Sequence, residues 1–243
     1  NYKLNKNEGN NILHGGKNAF HKKIWSTQQI SSNSITYHYT SPHLEEGFPG
    51  EVKVSCSYTL DTNNLFINFS ATTNQATHIN LANHSYWNLD RKKINIYDHY
   101  LKIHSSRILQ NDKFNIPNGK IKNVSQTPFN FMNLSKIGDN LKILKRGFDE
   151  NYILSKNSHH VAELWSPKSN ILLSMFSNQP GVQFYTGQYL KYKSAIKNLY
   201  PYQGLCLETQ AFPNSPNNSK FPSTLLLPKK KYRHSIQIKI EHQ

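Results

Sequence analysis

A large antiparallel β-sandwich is the fold class this sequence predicts, and three observations carry the expectation. Short stretches of alternating apolar residues recur with turn residues between them about every ten positions. Helical periodicity is almost absent. The chain has 243 residues, 36% of them hydrophobic and 12% aromatic, which suffices for a substantial core in one large all-β domain, or at most two small ones. No run approaches the length of a membrane span, and the first residues show no signal-peptide pattern.

Taken in order, residues 1–12 are polar, with a weak strand at Tyr2 to Leu4. Leu13-His14-Gly15-Gly16 follows, where two glycines let the backbone turn tightly and leave the imidazole at a loop edge. Ser34 to Thr40 reads as a strand, and the Pro- and Gly-bearing stretch Ser41 to Gly50 as a loop. From Glu51 to Leu60 the alternation is clean: Val52, Val54, Cys56, Tyr58 and Leu60 point one way, Lys53, Ser55, Ser57 and Thr59 the other. Asp61 to Asn64 supplies turn chemistry and Leu65, Ile67 and Phe69 resume the pattern, so the pair is a β-hairpin with a loop of about four residues.

Further along, Ile94 to Ile96 and Tyr100 to Ile103 are short strand pieces, and Ile116-Pro117-Asn118-Gly119 reads as a turn. The spacing of Phe131, Leu134, Ile137 and Leu141 predicts a short helix, the only one of note. Val161 to Trp165 and Ile171 to Phe176 flank a turn at Ser166 to Asn170, and Ile236, Ile238 and Ile240 mark a closing strand. His159-His160 suggests a metal at first sight. Neighbours on a regular strand point to opposite faces, so one ion cannot readily use both.

Two stretches carry chemistry. In Gly204 to Pro213 a buried strand ends at a proline turn, with Leu205 and Leu207 on one face and Cys206, Glu208 and Gln210 on the other. A carboxylate inside an apolar strand is costly, so Glu208 is either satisfied by a nearby Lys or Arg or kept for a function. In Thr77 to Leu89, amide and imidazole groups sit among aromatics. That mixture suits a sugar, whose C–H patches stack while its hydroxyls hydrogen-bond; it also fits a strand with one satisfied buried histidine.

A resemblance bears on both stretches. The segment GLCLETQAFPNSPN, with FPSTLLLP after it, resembles the C-terminal signature of the aldose 1-epimerase (galactose mutarotase) family. LHGG, NHSYWNL around His84, GFDENY around Asp149 and PGVQFYTG around Gln183 and Tyr185 resemble further family motifs, in family order. Ala19 and His21 stand where the family has Gly and Asp, a matter of loop shape. The resemblance implies the mutarotase supersandwich over residues 1–243, and interconversion of α and β anomers of a free hexose such as galactose or glucose. It implies Glu208 as catalytic base and His84 as general acid on opposite sides of the sugar. His14, Asn83, Tyr86, Asp149, Gln183 and Tyr185 would be sugar contacts, while Glu150 has no assignment and reads as surface. The family also carries, ahead of its HGG, an N-terminal portion with an Asn-Arg-Ile type motif that has no counterpart in this chain, so an N-terminally incomplete sandwich is expected. A non-catalytic sugar-binding module is the second reading.

The formal charge of +15 would ordinarily raise nucleic acid as a partner, but the lysines are scattered, with Lys229-Lys230-Lys231 the one compact run. The expectation is no nucleic acid and no membrane, in a monomer or homodimer acting on a small aldose. Cys56 and Cys206 lie far apart without CxxC spacing, so neither a zinc site nor a disulfide framework is indicated. Sequons such as Asn68, Asn83 and Asn123 read as a by-product of asparagine richness in a cytoplasmic protein. The implied chemistry requires no metal, nucleotide or redox cofactor, and no motif signals one.

Overall fold

The structure is a computed structural model that describes residues 2–92, 94–193 and 198–243. It divides into two compact units: Asn1–Leu81 with Ser223–Ser235, and Ala82–Pro222 with Ile236–Gln243.

The first unit is built on an antiparallel meander of β1 (Ser26–Ser31), β2 (Ser34–Ser41), β3 (Val52–Asp61) and β4 (Asn64–Thr73). The alternation read in β3 survives folding, with Val52, Val54 and Cys56 buried. At the far end of the hairpin Leu60 is 54% exposed. Because Asp61 and Asn64 still pair, the β3–β4 loop is Thr62-Asn63, two residues instead of four, with Thr62 at φ 54°. Val52, Val54, Ala71 and Ile79 form the core of this unit, and Phe20 and Trp25 pack on it. The Trp25 indole N–H donates to the Phe20 carbonyl at 2.9 Å, which satisfies its polar edge. Tyr2 to Leu4 forms no strand, and β1, exposed along its whole length, has no apolar pattern that could have announced it. The short β5 (Thr77–His78) completes the element order of this part.

The second unit contains β6 (Tyr100–Ile103), β7 (Arg107–Asn111), β8 (Pro117–Asn123), β9 (Ser135–Lys136), α1 (Ile137–Leu144), β10 (Asp149–Ile153), β11 (His160–Ser166), β12 (Ile171–Ser177), β13 (Gly181–Tyr185), β14 (Tyr192–Lys193), β15 (Asn198–Leu199) and β16 (Cys206–Gln210). β17 (Leu225–Leu226) returns to the first unit and pairs with β5. β18 (Tyr232–His242) ends in the second, where Ile236 to His242 pair with β12. Two antiparallel sheets result in this unit, one ordered β9-β6-β11-β12-β18 and the other β16-β13-β10-β7-β8.

Aromatic packing holds the second sheet's inner face. Phe148 and Phe184 stack at 5.1 Å, and Phe131 meets them edge-on at 5.4 and 5.5 Å. All three are fully buried, and a ring in that position contributes roughly 1.5–3 kcal/mol. The backbone carbonyl of Phe131 accepts from Ile103 of β6, so this residue belongs to the packing of both sheets. Tyr152, also fully buried, donates its hydroxyl to the Phe129 carbonyl at 2.8 Å.

Three local expectations change. The helix starts at Ile137, not near Phe131, whose ring is needed in the core. Ile94 to Ile96 forms no strand; the Ile96 N–H is taken by the Tyr202 carbonyl at 2.9 Å. Pro117 opens β8 instead of making a turn. β8 is an edge strand, where a missing N–H costs no ladder bond, and the turn lies earlier, closed by Asp112 N–H to the Ile116 carbonyl.

Candidate active site

Three neighbouring strands of the second unit set one face of polar side chains. Antiparallel pairing of β10 with β13 puts Asp149 opposite Tyr185 and Asn151 opposite Gln183. Pairing of β13 with β16 puts Gln183 opposite Glu208 and Tyr185 opposite Cys206. Directly paired residues project from the same face. Asp149, Asn151, Gln183, Tyr185, Cys206 and Glu208 therefore form a two-by-three patch, while Phe184 and Leu207 face the core.

Hydrogen bonds tie the patch together. The Gln183 amide donates to Asp149 Oδ1 at 2.8 Å and accepts from Asn151 Nδ2 at 3.3 Å. Asn115, from the turn ahead of β8, donates to Asp149 Oδ2 at 2.8 Å. With both oxygens engaged, the Asp149 carboxylate is fixed in place.

His84 reaches this patch from an irregular segment. Two bonds between Trp87 and Leu205, 2.7 and 2.9 Å, pin the segment beside β16, and the Asn88 amide donates to the Gln203 carbonyl. Gly204 makes the approach possible: a Cβ there would come within 3.1 Å of Tyr86 Cβ. His84 Nε2 consequently lies 3.5 Å from Glu208 Oε1, and Cys206 Sγ lies 3.5 Å from His84 Nδ1. The ring stacks obliquely on Tyr86 at 5.1 Å, and Tyr86 meets Tyr185 edge-on at 6.3 Å.

Burial governs the electrostatics. Glu208, 6% exposed, has its pKa pushed up to about 8 by desolvation first and by the Asp149 charge second. The Cys206 thiol is driven far above its ordinary range by burial and then by Glu208 and Asp149, so it stays protonated. The Tyr86 and Tyr185 hydroxyls are likewise raised, by burial first. The Cys206 sulfur can donate to Nδ1 of His84 or accept from it; in the imidazolium, the form able to give up a proton, Nδ1–H rests on the sulfur and Nε2–H faces Glu208.

Of the residues expected from the sequence, Glu208, His84, Asp149, Gln183, Tyr185 and Tyr86 come together here. Asn83 is half-buried, its Oδ1 accepting from Ser85 at 2.6 Å. His14 belongs to the first unit, exposed and left-handed at φ 53°. Glu150 departs from expectation: it is 3% exposed and paired with Arg146, on the strand face opposite Asp149. Desolvation raises its pKa, against which the guanidinium pulls. Asn151, Cys206 and Asn115 were not assigned from sequence. Alternation from Asp149 and Glu208 could have found the first two, whereas Asn115 sits in a turn with no periodic signal. A cleft of about 480 Å³ opens beside Asp149, lined also by Asn111, Asn115, Arg146, Gln188 and Tyr189.

An all-β protein with a buried carboxyl beside an imidazole, among amides and tyrosines, is a class built for proton transfer on a polyhydroxylated ligand. The model of the aldose 1-epimerase family matches residues 1–239, and the chain belongs to that family. It is 41% identical to galactose mutarotase of Sus scrofa over 241 residues, 96% of this chain and 70% of the relative. It is 40% identical to galactose mutarotase of Homo sapiens, covering 98% and 71% of the two chains. Among solved structures, an aldose epimerase homologue from C. elegans superposes with a TM-score of 0.93 at 27% identity, covering 99% of this chain and 75% of that one. Galactose 1-epimerase from Lactobacillus acidophilus gives 0.85 at 26% identity, with 99% and 73% covered.

Proposed function

We propose that the chain is an aldose 1-epimerase that interconverts the α and β anomers of a free hexose, with Glu208 as base and His84 as acid. The observation that carries the assignment of roles is the 3.5 Å approach of His84 Nε2 to Glu208 Oε1 within the polar patch. Ring opening removes the proton of the C1 hydroxyl and adds one to the ring oxygen, breaking the C1–O bond and leaving an aldehyde. The two groups lie 3.5 Å apart and do not flank the sugar from opposite sides as the resemblance implied; both oxygens hang on the same carbon, so two groups side by side can serve them. Rotation about C1–C2 followed by closure with the roles reversed gives the other anomer.

A base with a pKa of about 8 is well matched to this task. It binds a hydroxyl proton more strongly than an ordinary carboxylate, yet is ionised in a useful fraction near neutral pH. Asp149, Gln183, Tyr185 and Tyr86 would hold sugar hydroxyls and C–H faces, and galactose and glucose are the substrates the family suggests. Asn83 and His14 remain proposed sugar contacts on the strength of their motifs, NHSYWNL and LHGG. A reducing, cytoplasmic setting suits the two buried free cysteines, Cys56 and Cys206. No helix among the described residues is long and apolar enough to cross a membrane.

Polarimetry tests the reading. The chain should accelerate mutarotation of fresh α-galactose or α-glucose above the buffer rate. Glu208→Gln, which cannot accept the proton, should lose at least about a hundredfold in kcat. Unchanged turnover in that variant would remove Glu208 from its role, and sugar binding without acceleration would identify a binding module instead.

A further inference from the structure

A second constellation of donors lies on the other sheet of this unit. His160 and Glu163 belong to β11, and His104 follows β6, whose Lys102 pairs with Glu163. On a regular strand residues three apart point to opposite faces. Here the pairing of β11 with β12 slips by one between His160, opposite Phe176, and Ala162, opposite Met175. This bulge inverts the alternation and brings His160 to the same face as Glu163. His104, two residues beyond Lys102, meets them there.

The rings of His104 and His160 stack at 4.0 Å, and Phe176 covers the other face of His160 at 4.6 Å. His104 Nε2 lies 3.1 Å from Glu163 Oε1 and His160 Nε2 lies 3.6 Å from the same oxygen. His160 Nε2 is buried without a hydrogen-bond partner, an unusual and costly state for a ring nitrogen.

We propose that His104, His160 and Glu163 form a binding site for a divalent transition-metal ion of the zinc type. The donor set of two imidazoles and a carboxylate suits such an ion, which commonly takes three protein ligands and one water. Tetrahedral bonds of about 2.0–2.1 Å place neighbouring donors about 3.3 Å apart. The two histidine–glutamate separations, 3.1 and 3.6 Å, bracket that value, and all three donor atoms lie within 4.8 Å of one another; because an imidazole binds in its ring plane, the two rings open out of their 4.0 Å stack as the ion enters. The ion gives the orphaned His160 nitrogen its partner and clamps β11 to the end of β6. Lys102 Nζ, 3.4 Å from Glu163 Oε1 and partly exposed, swings toward solvent as the ion enters. His159 stays out, since its Nδ1 faces the Ser177 carbonyl at 3.1 Å. The trio His84, Cys206 and Glu208 is similarly close, but it is the acid–base centre already described, and the His84→Asn control below separates the two.

The full chain, stripped with chelator and desalted, is titrated with Zn²⁺ by calorimetry and with Co²⁺ by visible absorption. One equivalent should bind, and Zn²⁺ should raise the melting temperature. His160→Phe, which can keep the stack on Phe176, and Glu163→Gln should each weaken binding by at least about a hundredfold while leaving mutarotation intact. His84→Asn should bind Zn²⁺ as the parent does. Absence of saturable binding, retention of full affinity in both site variants, or loss of binding in His84→Asn would each overturn the proposal. If one site variant fails to melt cooperatively, the other decides.

Discussion

Replacing Glu208 by glutamine should make the protein more stable while silencing it, and the gain should depend on pH in a defined way. In the folded chain the carboxyl titrates near 8, against 4.5 for an unburied glutamate. The folded state therefore holds the proton more tightly than the unfolded state, so stability falls as pH rises between those values. At about 1.36 kcal/mol per pKa unit, ionising or burying this group costs the parent about 1 kcal/mol near pH 5, about 3 near pH 7 and about 5 near pH 9. Glutamine keeps the shape and escapes the cost. For a chain of this size about 3 kcal/mol corresponds to a rise of about 6–12 °C in melting temperature. Scanning calorimetry of parent and Glu208→Gln across that range isolates the effect, because every other group is common to both. A gap between the two melting temperatures that stays constant, or narrows with rising pH, would refute the reasoning.

The same carboxyl should appear in kinetics: kcat/KM for mutarotation should rise with pH along a limb centred near 8, since the base must be unprotonated. Asp149→Asn removes the second cause of that elevation and should move the limb to lower pH as well as weakening sugar binding, read from the pH profile and KM. Arg146→Ala leaves the buried Glu150 carboxylate without its partner and should destabilise by up to about 3 kcal/mol, more at high pH than at low, by denaturant titration.

Much of this protein was legible residue by residue. The β3–β4 hairpin followed from strict alternation, because a side chain's face on a regular strand depends on local parity alone. The same parity placed Cys206 and Glu208 together, and the motif resemblance picked out His84, Asp149, Gln183 and Tyr185. Glu150 shows where local reading fails: a charge next to Asp149 looks like surface until β13 and the Phe148–Phe184 stack bury the strand face it occupies.

Distances required the fold. His84 and Cys206 are 122 positions apart, and the Trp87–Leu205 bridge, the Asn88–Gln203 bond and the bare Gly204 bring the imidazole to the strand. Register between β10, β13 and β16 turned three separate motifs into one patch, and register is set by pairing, not by any strand alone. The bulge in β11 makes the same point, since a one-residue slip against β12 gives His160 and Glu163 a common face that strand parity forbids. Parity and composition are properties of a segment and can be read from it. Which segments pair, in what register, and how deeply a carboxyl such as Glu208 is desolvated depend on neighbours that only the tertiary structure supplies.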